Sequence, residues 1–228
     1  MLSDLLIADG QGSAAATQQL LDAIAKVTPK PVKWYIVGSD HGDHTAGNSV
    51  LPNDVTYIVS KASRAQMKLE APAMTSDKQV INVGGIEVQA LYLGRAHTGG
   101  DLVVYLPKQK ILFMSEVYLN RVFPAMRSAF PTEWVSVIDK ALKLDVDRFV
   151  PGHGFIEEPK TSREELIEYQ KALRAVIAEV NRLHKLGLAA EDAAKQANWG
   201  PYKEWYIAAQ QGPIAVRKIY EEIEGKLK

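Results

Sequence analysis

The chain has no cysteine. That excludes a disulfide framework and every thiolate metal site, so any bound metal must rest on imidazole and carboxylate. It also has no surplus of charge: lysine plus arginine number 27 and aspartate plus glutamate number 27. No global field then steers the chain toward phosphate backbones or anionic lipid, which argues against a nucleic-acid or membrane partner and against a nuclease. A third absence is the long apolar run. No stretch of about 18 apolar residues occurs, and no basic segment followed by such a run opens the chain. The expectation is a soluble, cytoplasmic protein acting on a small molecule.

What is present is an ordinary globular composition over 228 residues, 46% hydrophobic and 24% charged, enough for one α/β domain. Residues 1–228 read as a single domain, with 160–228 a helical C-terminal extension. Short apolar runs alternate with amphipathic segments in the first half, the pattern of strands separated by helices. Leu5–Ala8 predicts a strand. Ser13 predicts the cap of a helix from about Ala14 to Val27 whose buried stripe is Leu20, Leu21, Ile24 and Val27. Strands are expected at Trp34–Val37 and Val55–Val59, then a helix over Lys61–Glu70. Closely spaced strands follow at Gln79–Val83, Ile86–Leu93, Leu102–Leu106 and Ile111–Met114, with Gly84-Gly85 a hairpin turn. Thr132–Leu144 predicts a helix, Arg148–Val150 a strand, and Ser162–Lys185, Ala190–Gln196 and Pro213–Lys228 helices.

Five histidines exist, at 41, 44, 97, 153 and 184. The first four fall in glycine-rich turns directly after predicted strands, where α/β folds place ligand-binding side chains. His184 falls in a helix and reads as a surface or packing residue. Carboxylates accompany the four: Asp40 and Asp43 in the first loop, Asp101 after His97, and Glu116 after a strand. His41 stands two residues before the adjacent pair Asp43 and His44, so a sharp loop can send His41 one way and the pair another. Gly42 and Gly47 would permit the tight backbone.

These residues resemble the metallo-β-lactamase superfamily. Ser39-Asp40-His41-Gly42-Asp43-His44 is similar to its His-x-His-x-Asp-His loop, and three more stretches agree in order: Gly94–Asp101 around His97, Leu112–Glu116, and Val150–Gly154 around His153. Ile7-Ala8-Asp9-Gly10 resembles the family's early aspartate turn, which supports the metal loop. The resemblance implies an αββα sandwich, N-terminally shortened, with C-terminal helices. It implies that His41 and His97 belong to one metal site, that Asp43, His44 and His153 belong to a second, and that Glu116 occupies the bridging position. It also implies one or two Zn²⁺, with Fe or Mn as alternatives, and hydrolysis of an ester, thioester, lactone or β-lactam by a metal-bound hydroxide that Asp43 orients.

Three departures carry consequences. Glu116 stands where the family usually has aspartate, and its extra methylene, roughly 1.5 Å, requires either that the backbone recedes or that the glutamate contacts only one metal. Ser39 stands where the family loop has its first histidine, which weakens the His41/His97 site and leaves open a non-catalytic metal-binding or scaffold relative. The early position of Asp9 implies missing leading strands and an exposed sheet edge, from which a homo-oligomer is expected. Arg95 is the preferred substrate contact, ahead of Tyr118, Asn120 and Arg121. Trp199, Tyr202, Trp205 and Tyr206 could line the pocket mouth or pack helices.

Overall fold

A computed structural model describes residues 4–227. It divides into two compact units, Met1–Leu93 with Gly100–Ser115, and Gly94–Gly99 with Glu116–Lys228.

In the first unit, β1 (Leu5–Ala8), β2 (Val32–Ile36) and β3 (Thr56–Ile58) form a parallel sheet in that order. Parallel neighbours need crossovers, and α1 (Ala14–Val27) supplies the first. Its start follows the capping expectation: the Ser13 hydroxyl accepts the Ala16 amide at 3.2 Å. The buried stripe ends earlier than the periodicity predicts. Leu21 and Ile24 pack on the sheet and Thr17 is buried, whereas Val27, in the last turn, is 86% exposed. The connection after β2 holds one α-helical turn, α2 (Gly42–Thr45), and a 3₁₀ turn at Asn48–Val50, and α3 (Lys61–Met67) follows β3.

The rest of this unit is an antiparallel sheet of β4 (Lys78–Val83), β5 (Ile86–Leu91), β6 (Val103–Leu106) and β7 (Ile111–Phe113). Val83 pairs with Ile86, so Gly84 and Gly85 form the expected two-residue turn. Their φ values of 58° and 90° are the region such hairpins demand and side chains resist. Ile36 and Ile58 of the first sheet share a core with Ile81, Val88, Ala90 and Val104 of the second.

The second unit is mainly helical. It contains α4 (Pro131–Leu142), the short strand β8 (Arg148–Val150), α5 (Pro159–Lys185), α6 (Ala190–Gln196) and α7 (Ala208–Ile223). Pro131 and Pro159 open their helices, where a missing N–H costs nothing. α4 buries Trp134, Val135, Ile138 and Ala141, a spacing that lies on one face. α5 buries Leu166, Tyr169, Leu173, Val176, Val180 and Leu183. The last helix begins five residues before the predicted Pro213, which sits inside it. The predicted end, Lys228, lies outside the described residues.

Candidate metal centre

In the first unit the site is built around one carboxylate. Asp9 follows β1 in the left-handed region, φ 59°, and is buried. Its Oδ1 accepts the amides of Gly38 and Ser39 at 2.7 and 3.3 Å, and its Oδ2 accepts the Ser115 hydroxyl at 2.5 Å. The same Oδ2 lies 3.0 Å from His44 Nδ1. A carboxylate held this way acts as acceptor, so the imidazole proton sits on Nδ1 and Nε2 keeps its lone pair. The His44 carbonyl is fixed as well, accepting the Gly10 amide at 2.8 Å and the Tyr35 hydroxyl at 3.0 Å. Burial, and next the Asp9 charge, push the Tyr35 phenol well up, so it stays a donor.

The His-rich motif is a helical turn rather than an irregular loop. His41 is the residue before α2, and its carbonyl accepts the Thr45 hydroxyl at 2.9 Å. Asp43 and His44 follow within the turn, with Asp43 Oδ2 3.6 Å from His44 Nε2 and the Asp43 side chain 54% exposed. Gly42 meets nothing that a Cβ would touch, whereas a Cβ on Gly47 would lie 1.9 Å from the Thr17 hydroxyl oxygen. Close approach to α1 therefore explains Gly47, and turn geometry does not explain Gly42. The Ser39 hydroxyl is buried and accepts the His41 amide at 3.4 Å.

In the second unit Glu116 is the centre. It is 3% exposed, and each oxygen faces one imidazole: Oε2 lies 3.0 Å from His97 Nε2, and Oε1 lies 2.8 Å from His153 Nε2. His97 is buried with its ring edge-on to Trp134 at 5.3 Å, and the Ala96 carbonyl before it accepts the Phe130 amide at 2.8 Å. His153 hangs on a clamp. Its carbonyl accepts the Asn120 amide at 3.0 Å and the Tyr118 carbonyl accepts the Gly152 amide at 3.1 Å. Gly154 is required there, because its φ is 94° and a Cβ would sit 2.0 Å from the Asn120 carbonyl oxygen. The His153 side chain is 43% exposed, open to an incoming molecule.

This donor chemistry fits a metal such as zinc. Adjacent ligand atoms on a tetrahedral Zn²⁺ lie about 3.3 Å apart, so the two nitrogen–oxygen pairs would need to open by only a few tenths of an ångström. A buried carboxylate between two imidazoles calls for positive charge, and the Asp9 contact leaves His44 in the tautomer that ligates through Nε2.

No family model matches the chain, but curated relatives and solved structures do. It is 26% identical over 161 residues to a metallo-β-lactamase type 2 of Bacillus cereus, covering 66% of this chain and 62% of that one. It is 26% identical to a linear primary-alkylsulfatase of a Pseudomonas species, covering 95% of this chain and 53% of that one. Among solved structures, a sec-alkylsulfatase from Pseudomonas superposes with a TM-score of 0.78 over 96% of this chain and 46% of that one, at 15% identity. A metallo-β-lactamase from Pontibacter korlensis gives 0.64 over 75% of this chain and 84% of that one, at 21% identity. The chain has the metallo-β-lactamase fold. It spans about half the length of the alkylsulfatases it matches.

Within that fold, several expected substrate contacts are engaged elsewhere. Arg95 grips Glu133 through two nitrogens and lies over the Phe130 ring, 4.1 Å from its centroid. Arg121 pairs with Glu165 in the same two-pronged way. Asn120 is buried and ties down Phe155 by donating to its carbonyl at 2.8 Å. Of the aromatic cluster, Trp199 packs on Phe123 and Trp205 stacks on Tyr169, while Tyr206 is 73% exposed. His184 packs against Tyr220. Sequence reasoning missed Ser115 and Tyr35. Nothing local marked the first, and the second reads simply as an apolar strand position.

Proposed function

We propose that the chain is a metal-dependent hydrolase. Its ligands would be His41, His97 and Glu116 for one ion, and Asp43, His44, Glu116 and His153 for another. The buried Glu116 carboxylate, offering one oxygen to His97 and the other to His153, carries this reading and supports a bridging role. A divalent metal held there, zinc first and Fe or Mn as alternatives, would supply Lewis acidity and a water that ionises near neutral pH.

The protein's own groups do the rest. Asp9 fixes the His44 ring, and Asp43, partly exposed beside it, would orient the attacking hydroxide. The open flank of His153 admits the substrate. With Ser39 in the place of a histidine, the His41/His97 group has one nitrogen fewer, and each 1.4 kcal/mol of lost binding weakens it about tenfold. The Asp43/His44/His153 group therefore fills first.

The substrate in this reading is a small ester, thioester, lactone or β-lactam. A second reading, a sulfate ester, is favoured by the reach of the alkylsulfatase likeness over 95% of this chain, against 66% for the Bacillus cereus β-lactamase. Elemental analysis of the purified protein, followed by assays on all these classes, tests both readings. Turnover should vanish in His153→Ala and on chelation, and should return with Zn²⁺. Bound metal without turnover on any class would favour a scaffold relative, and absence of metal would overturn the proposal. The same reading takes the working form as a homo-oligomer covering β1, an edge strand of its three-stranded sheet; a monomer by light scattering counts against it.

A further inference from the structure

Asn120 holds the turn that carries His153 at two points. Its backbone N–H donates to the His153 carbonyl at 3.0 Å, and its side-chain Nδ2 donates to the Phe155 carbonyl at 2.8 Å. Gly154, between those two carbonyls, lies so close that a Cβ on it would sit 2.0 Å from the Asn120 carbonyl oxygen and 3.1 Å from the Asn120 Cβ. On the other side of His153 the Gly152 amide donates to the Tyr118 carbonyl at 3.1 Å. The backbone of residues 152–155 therefore lies along residues 118–120, and the Asn120 side chain fastens its far end.

The two imidazoles of this unit that face Glu116 are restrained differently. His97 is buried with its ring edge-on to Trp134 at 5.3 Å, so packing limits where it can go. The His153 side chain is 43% exposed, and its place depends more on the backbone beneath it. Metal–ligand distances tolerate only about 0.2 Å either way, so a turn free to shift further would no longer deliver the ring.

The Asn120 amide contributes little net stability. The residue is 1% exposed, and its Oδ1 has no hydrogen-bond partner among the described residues. A buried acceptor left unsatisfied costs about as much as one such bond contributes, so the two ends of the amide largely cancel. What the Nδ2 bond leaves is geometry.

We infer that Asn120 is a positioning residue for His153, its side-chain bond to Phe155 locking the turn that presents the imidazole to the metal. The inference rests on the metal-binding reading above. Supports of this kind, when removed, typically cost 10–100-fold in metal affinity.

Zn²⁺ affinity of the full chain, measured by competition with a chelator, is compared in the parent, Asn120→Ala, His153→Ala and the double variant, alongside the melting temperature of each metal-free protein. Asn120→Ala should weaken Zn²⁺ binding about tenfold or more, with a metal-free melting temperature within about 4 °C of the parent. Because Asn120 acts through His153, adding Asn120→Ala to His153→Ala should weaken binding by no more than about twofold further. Parent-like affinity in Asn120→Ala overturns the inference, and so does an equal loss in both backgrounds, the mark of a general structural effect. If metal-free Asn120→Ala is unfolded or melts lower than this, Asn120→Leu, which keeps the bulk and lacks the donor, goes through the same cycle. The same fall in both variants overturns the inference. If the parent chain itself binds no Zn²⁺, the metal reading falls first and takes this inference with it.

Discussion

Asp9 Oδ2 lies 3.0 Å from His44 Nδ1 while the same carboxylate gathers Gly38, Ser39 and Ser115. One buried side chain therefore both folds the motif turn and sets the tautomer of a candidate ligand. Asp9→Asn keeps the shape, and asparagine tolerates the left-handed backbone, but the charge is lost. The expected result is a 10–100-fold loss of Zn²⁺ affinity with a stability cost of about 2 kcal/mol. An isothermal titration showing parent-like affinity would remove Asp9 from the metal-supporting role.

Glu116 serves two imidazoles at once, which makes its removal different in kind from removing either histidine. In Glu116→Gln both ligand groups should weaken, each by more than about tenfold. His97→Ala should weaken only the His41 group and His153→Ala only the Asp43/His44 group. Metal counting across a Zn²⁺ titration distinguishes these patterns. Equal curves for the three variants would show that Glu116 does not bridge.

The glycines of two motifs should behave oppositely. Gly154→Ala forces a Cβ to within 2.0 Å of the Asn120 carbonyl oxygen at φ 94°, and we expect a destabilisation of about 2 kcal/mol or more with a displaced His153. Gly42→Ala meets nothing within 4 Å and starts a helical turn, so it should be neutral or stabilising by up to about 1 kcal/mol. Thermal melts of the two variants check both signs.

Acid and base should each loosen the segment that Tyr202 fastens to α5. The Tyr202 hydroxyl donates to Glu168 at 3.0 Å. Lys171, and also Tyr202, hold the Glu168 carboxyl below its usual range. A depressed folded value means this contribution is complete above about pH 4.3 and fades as pH falls through the lower folded value. Burial, then the bond to Glu168, push the Tyr202 phenol up to about 12. A raised folded value means its contribution is complete below about pH 10 and is lost as pH climbs toward 12. Trp199 and Trp205 fluorescence across pH should report both transitions, and Tyr202→Phe should remove the alkaline one.

Local pattern determined much of this protein. The short apolar runs of β4 to β7, the cap at Ser13 and the Gly84-Gly85 turn are dictated by neighbours a few residues apart, and so is the placement of four histidines at strand ends. Tertiary structure decided the remainder. Ser115 reaches Asp9 across 106 residues of sequence, Tyr35 fixes a carbonyl nine residues on, and Arg95 is drawn to Glu133 38 residues away. The exposure of Val27 and the helix around Pro213 likewise follow from packing that propensity does not encode. Periodicity and turn chemistry act along the chain. The hydrogen-bond partners of a buried carboxylate are chosen in space, so sequence could nominate Asp9 and Glu116 but not say which side chains they hold.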